Sequence, residues 1–209
     1  LLMLNSIDNI IRSSKENSTY ECIVDFSFET ELLLCEVINV ERSWLKANPN
    51  YILSDEQEIK FSKLKLRREK GEPIAYIIGN RGFWTLDLKV NESVLIPRPE
   101  SESIIELSLD LPLTNKADVL DLGTGSGALA LALASERKGW SITGTDVSID
   151  ALKVAEFNKE YHRLNNVEFI KSFWFEEFEK RSPGQSKFDL IVSNPPYLRK
   201  DDPHLDKGD

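Results

Sequence analysis

The sequence predicts an α/β protein in which a doubly wound parallel sheet is preceded by a small helical domain and joined to it by a β-hairpin. Three observations predict this. Beyond Asn115, apolar strand-like runs alternate with helical runs across short loops. The first of those strands feeds straight into a glycine-rich turn and then a helix. The N-terminal third instead carries helical periodicity with recognisable start and stop residues. The expected domains are residues 1–73, helical; 74–97, a β-hairpin linker; and 98–209, the sheet.

The elements follow in chain order. Phe28, Leu32, Leu33, Cys35 and Val37 mark an amphipathic helix, and Pro49-Asn50 a turn. Ser54-Asp55-Glu56 opens a second helix that carries Ile59, Leu64 and Leu66 and stops at Gly71 before Pro73. Its other residues include Lys60, Lys63, Lys65, Arg67, Arg68 and Lys70, a solvated face or a partner-binding one. From Ile74 to Ile96 the pattern becomes β-like: Phe83-Trp84-Thr85-Leu86 and Leu88-Lys89-Val90 alternate, and Val94-Leu95-Ile96 follows a turn. Pro97-Arg98-Pro99 stiffens the chain before a helix expected from Glu100 to about Leu109. The sheet region then reads as strands at 118–122, 141–146, 167–170 and 188–193, with helices at 127–137 and 149–164 between them.

Composition bounds the function. The chain has 209 residues, 41% hydrophobic and 29% charged, an ordinary composition that can bury a core. No apolar run approaches a membrane span, and the first residues lack the marks of a secretory signal, so a cytoplasmic protein is expected. Cys22 and Cys35 suit neither a zinc site nor a redox pair, and no metal is expected. Residues 1–90 hold 12 basic and 14 acidic side chains, whereas residues 91–209 hold 14 and 21, a net of −7 for the second part. Such a surface offers no broad footprint for a phosphate backbone, and no direct nucleic-acid partner is expected.

Two segments carry chemistry. Gly123-Thr124-Gly125-Ser126-Gly127 joins strand to helix, so a ligand can lie against bare backbone and amide N–H groups. Asp146 ends the next strand, where a carboxylate can accept from both hydroxyls of a ribose. Together they indicate an adenosine-type cofactor, and the loop spacing alone also suits a nicotinamide dinucleotide. The second segment is Ser193-Asn194-Pro195-Pro196-Tyr197, which directly follows the last strand. Two prolines fix the backbone and remove two donors, leaving carbonyls as acceptors. Asn194 adds a side-chain carbonyl and Tyr197 a flat ring. That set suits a planar NH2 group, two acceptors taking its hydrogens while the ring covers one face.

Asn-Pro-Pro-Tyr after one strand, with Asp-Leu-Gly-Thr-Gly-Ser-Gly after another, resembles the class I S-adenosylmethionine-dependent methyltransferases, whose sheet is Rossmann-like. Gly71-Glu72-Pro73-Ile74-Ala75-Tyr76, Phe83-Trp84, Leu95-Ile96-Pro97-Arg98-Pro99-Glu100-Ser101-Glu102 and Asp202-Pro203-His204-Leu205 narrow the resemblance to the release factor glutamine methyltransferases (PrmC/HemK). It covers residues from about 28 to the end. The resemblance implies S-adenosylmethionine on Gly123, Thr124, Gly125, Ser126 and Gly127, its ribose on Asp146, its adenine near Trp174, and Asn194 where cofactor meets substrate. It further implies that Asn194, Pro195, Pro196 and Tyr197 hold the glutamine of a Gly-Gly-Gln motif in class I peptide-chain release factors, with Asn194, Pro195 and Tyr197 catalytic. The helical domain would recognise that partner. Phe173 departs from the family, which commonly has an acid there. His204 is expected to be structural. Because the chain ends soon after its fourth strand, a C-terminally incomplete sheet is expected. The alternatives are an adenine N6-methyltransferase acting on RNA or DNA, and a non-catalytic fragment that binds cofactor or release factor.

Overall fold

The computed structural model describes residues 6–16, 26–181 and 187–195. They form two compact units, which divide between Ile78 and Gly79.

The first unit is helical: α1 (Ile7–Glu16), α2 (Phe26–Ile38), α3 (Arg42–Ala47), α4 (Asp55–Glu69) and α5 (Ile74–Ile78). Ile7, Leu34, Leu45 and Leu53 form its buried centre, with Trp44 and Tyr51 meeting edge to face at 5.2 Å beside it. α4 starts where the sequence places it, because Ser54 and Gln57 build a reciprocal capping box and acids fill the first turn. Four basic residues of α4 are matched locally. Lys60 pairs with Glu36 at 3.1 Å and Arg68 with Glu29 at 2.8 Å, Lys65 lies 3.7 Å from Glu69, and Arg67 pairs with Glu72. This run is therefore an ion-paired face more than a free cationic surface. Cys35 is a free, half-buried thiol whose pKa burial pushes up; Cys22 lies outside the described residues.

The linker region corrects the sequence reading. Ile74–Ile78 is helical, not β-like, because the Pro73 carbonyl accepts from the amides of Tyr76 and Ile77 and starts a turn. An apolar run this short does not reveal its period. The hairpin itself is confined to β1 (Asn80–Phe83) and β2 (Leu86–Lys89), antiparallel, with Phe83 opposite Leu86. Trp84 and Thr85 therefore form a turn where the sequence suggests continuous alternation. Trp84 adopts φ of 55°, a left-handed conformation unusual for such a residue. Tertiary bonds hold it there: its amide donates to Glu102 Oε1 at 2.8 Å and its indole to Glu136 Oε1 at 2.7 Å. Val94-Leu95-Ile96 is not a strand.

The second unit continues through a 3-10 turn (Pro99–Ser101) into α6 (Glu102–Asp110), β3 (Asp118–Leu122), α7 (Ala128–Glu136), β4 (Ser141–Asp146), α8 (Ile149–His162), β5 (Val167–Lys171), α9 (Glu176–Arg181) and β6 (Leu190–Ser193). The four later strands are all parallel, in the order β5-β4-β3-β6. α7 is apolar all round, and every residue from Leu129 to Ala134 is buried, as a helix enclosed by its own fold requires. Gly144, in the middle of β4, makes room for two neighbours. A Cβ there would lie 2.6 Å from the Phe169 ring and 2.8 Å from Thr124 Oγ1. Gly144→Ala should destabilise the fold by about 2 kcal/mol through overpacking, read from the urea midpoint.

Candidate active site

The strand order puts the site in place. β4 and β5 lie on one side of β3 and β6 on the other, so the chain reverses its direction of travel across the sheet at β3. Open α/β sheets bind ligands at such a switch point, beyond the carboxyl ends of the strands. The register is specific: Leu122 of β3 pairs with Thr145 of β4 and with Ser193 of β6. The next residues, Gly123, Asp146 and Asn194, therefore leave three neighbouring strands at one level. Adjacent strands are ~4.8 Å apart. Segments distant in sequence thus converge on one cavity of about 340 Å³, lined by Gly123, Gly125, Thr145, Asp146, Phe173, Trp174, Asn194 and Pro195 among others.

The glycine loop is tied to β4 on one side. Thr145 O accepts from the amides of Gly123 and Thr124 at 2.9 and 2.8 Å, and Asp146 Oδ2 accepts from Gly125 N at 3.0 Å. Asp146 Oδ1 accepts from Ser148 N at 2.9 Å. Ser148 in turn caps α8, its hydroxyl accepting from Ala151 N. Each Asp146 oxygen has a second lone pair, so the carboxylate braces the loop and can still accept from a ribose. Gly125 has φ of 55°, and nothing lies within 4 Å of the place its Cβ would take, so its bare backbone faces open space.

Three of the five predicted loop residues do not face the cavity through side chains: Thr124, Ser126 and Gly127 are absent from its lining. Thr124 and Ser126 are buried. Gly127, at φ of 84°, begins α7 and lets Leu131, Phe169 and Ala155 close over it. They shape the loop. Trp174 does line the cavity, together with Phe173. Trp174 sits at φ of 49° in a tight turn, where Ser172 Oγ donates to its carbonyl at 2.9 Å and accepts from Glu177 N. Phe173 supplies an apolar wall of that cavity. Asn194 and Pro195 line the same space; Pro196, Tyr197 and His204 lie outside the described residues.

Three functional positions were not singled out from sequence. Asn158 on α8 is fully buried, accepts from Lys89 N through Oδ1 at 2.7 Å, and donates from Nδ2 to the carbonyls of Lys89 and Ser126. It locks β2 to the glycine loop. Asp121 is buried under the loop, accepts from the Thr124 hydroxyl at 2.6 Å through Oδ2, and leaves Oδ1 without a hydrogen-bond partner. Ser101 accepts from Asn194 Nδ2 at 2.7 Å. An acid inside an otherwise apolar strand just before a glycine loop is a readable signal for Asp121. The other two depend on tertiary contacts.

Burial pushes the Asp121 carboxyl up to about 6; the Thr124 hydroxyl and the Ala130 backbone work against this, and the Asp146 charge adds to it. A raised carboxylate pKa means that, between about 4 and 6, the folded state holds a proton that the unfolded chain has released. Stability from this group therefore falls as pH rises through that window. Asp121→Asn keeps an acceptor for Thr124 and cannot ionise. Its stability relative to the parent should rise from pH 4 to 6.5 by roughly 2–3 kcal/mol, measured by urea unfolding at several pH values.

The wall chemistry bears on the cofactor's charge. Among the described residues, the lining includes one carboxylate, Asp146, and no lysine or arginine, and Asp121 lies beneath. A pyrophosphate would meet these acids unpaired, whereas a cationic ligand would be stabilised by them. An acidic wall without a basic partner among the described residues thus fits a nucleoside carrying positive charge better than a dinucleotide.

Comparison with known proteins gives the same direction. A methyltransferase domain family matches residues 113–206, and the PrmC N-terminal domain family matches residues 23–79. The release factor glutamine methyltransferase of Aliivibrio fischeri is 44% identical over 98% of this chain and 70% of its own length. That of Shewanella oneidensis is 46% identical over 87% of the chain and 62% of its own length, and that of Pseudomonas aeruginosa 46% over 87% and 64%. The chain thus spans roughly two thirds of the relatives it matches. Its sheet is the Rossmann-like sheet of class I methyltransferases. From strand order to cavity wall to sequence identity, these findings agree: the chain belongs to the release factor glutamine methyltransferase family.

Proposed function

We propose that this chain binds S-adenosylmethionine and transfers its methyl group to the side-chain amide nitrogen of the glutamine in the Gly-Gly-Gln motif of a class I peptide-chain release factor. The observation that carries the reading is that Asn194 and Pro195 share one cavity with Gly123, Gly125 and Asp146. Family membership supports the substrate class. The helical domain, residues 1–73, recognises the partner, 74–97 links, and 98–209 carries the chemistry. The site of action is the cytoplasm; among the described residues no helix is long and apolar enough to cross a membrane.

When bound, the cofactor supplies a methyl group already activated as a sulfonium. The amide nitrogen is a poor nucleophile because its lone pair is delocalised, so the protein must position it and draw electron density onto it. Asp146 holds the ribose, the bare loop receives the rest of the nucleoside, and Phe173 and Trp174 cover the base with apolar surface. Asn194 Oδ1 and the Pro195 carbonyl accept the two amide hydrogens of the glutamine. Those bonds strengthen as positive charge builds on nitrogen, so they stabilise the transition state more than the bound substrate. Tyr197, which lies outside the described residues, is the ring that the sequence offers for one face of the amide. Alignment of nitrogen, methyl and sulfur contributes up to on the order of 7–11 kcal/mol.

Incubating the chain with methyl-labelled cofactor and, in separate reactions, purified release factor or RNA tests the substrate class. Label in the release factor is expected. Label in RNA alone would assign the same two acceptors to an exocyclic adenine amine instead.

A further inference from the structure

We infer that Ser101 is a positioning residue for Asn194, anchoring the side-chain amide against rotation; the inference rests on the role proposed for Asn194. The segment Leu95 to Glu102 was prominent in the sequence, yet most of it does not line the cavity. Leu95 lines it, and Ser101 Oγ accepts a 2.7 Å hydrogen bond from Asn194 Nδ2.

Two features indicate that this bond is a device and not an incidental contact. Ser101 ends the 3-10 turn in helical backbone, at φ of −70°, so its side chain makes no cap on α6 and is turned to Asn194 instead. It is also buried, at 8% exposure, so the bond is shielded from competing water. The bond joins residues 93 positions apart. It occupies Nδ2 within the protein and leaves Oδ1 as the remaining polar atom of a residue that lines the cavity. An asparagine amide turned over about its last torsion would present NH2 instead, a donor facing the donor NH2 of the substrate. Rotation about that torsion is soft, so without an anchor both orientations are populated. Accepting from Nδ2, the Ser101 hydroxyl anchors the amide and restrains that torsion.

Methyl transfer to purified release factor by Ser101 and Asn194 variants, with side-chain amide NMR, tests this. Ser101→Ala should lower kcat about tenfold while KM for both substrates stays within about twofold. Ser101→Thr restores the hydroxyl and should recover most of the rate; Ser101→Val, of matching shape without it, should not. In an Asn194→Ala background, Ser101→Ala should have less than about a twofold further effect, because the two act through one amide. Undiminished kcat in Ser101→Ala, equal losses for Thr and Val, or a full additional loss in the Asn194→Ala background would overturn the inference. The amide resonances of Asn194, identified by their loss in Asn194→Ala, need no turnover. They should shift and exchange faster with water in Ser101→Ala, and unchanged resonances would refute the bond. A parent chain that transfers no methyl to release factor would defeat the proposed function, while the NMR comparison still decides on Ser101.

Discussion

Asn194→Ala should lower kcat for methyl transfer by on the order of 10²–10³-fold, a loss of ~3–4 kcal/mol in transition-state stabilisation. The size follows from what the side chain does. Charge develops on the amide nitrogen only as it attacks, so an acceptor fixed beside it acts mainly in the transition state. Alanine removes that acceptor and opens the place to water, which must reorganise as the reaction proceeds. Affinity for S-adenosylmethionine should change far less, because the loop and Asp146 hold the nucleoside. Calorimetry and single-turnover kinetics on the same variant separate the two effects. A variant with near-parental turnover would remove Asn194 from the mechanism.

Asp146→Ala should act in the complementary way, weakening S-adenosylmethionine binding by about 100-fold or more, measured by calorimetry. Two losses combine. The ribose loses a charged acceptor, and hydrogen bonds to charged groups are worth ~1.5–3 kcal/mol each. The amides of Gly125 and Ser148 also lose the oxygens they now donate to, so the loop and the start of α8 relax together. With saturating cofactor much of the kcat should return, since nothing in the methyl-accepting half has changed. A variant that binds cofactor normally would show that the loop, not the acid, carries the affinity.

How far the sequence discloses this site depends on how local each signal is. The parallel strands at 118–122 and 141–146 are legible because apolar runs and glycine punctuation lie within a few residues of each other. α4 is legible through its capping box. Asn194 is legible as a candidate because its chemistry is written in consecutive residues. The hairpin is misjudged because its turn is Trp84-Thr85, held by Glu102 and Glu136 from elsewhere in the chain. α5 is misjudged because five apolar residues fit either period, and Pro73 decides the outcome. The basic run of α4 suggests a cationic surface only until Glu29, Glu36, Glu69 and Glu72 are seen beside it. Ser101 and Asn158 act across 93 and 69 positions, distances at which one sequence carries no pairing signal. Gly127 shows a subtler gap. Its place in the motif suggests ligand contact, and a Cβ there would lie 2.9 Å from Leu131 and 3.0 Å from Phe169, so its bare backbone also serves packing.

The central claim is chemical: two oxygen acceptors at the end of β6 take the hydrogens of a primary carboxamide while a methyl group arrives from the side of the glycine loop. Tandem mass spectrometry of a release factor incubated with this chain and methyl-labelled S-adenosylmethionine addresses it most directly. The account predicts a single labelled methyl on the side-chain nitrogen of the Gly-Gly-Gln glutamine. Label on any other residue, or a release factor left unmodified by a chain that binds the cofactor, would contradict it.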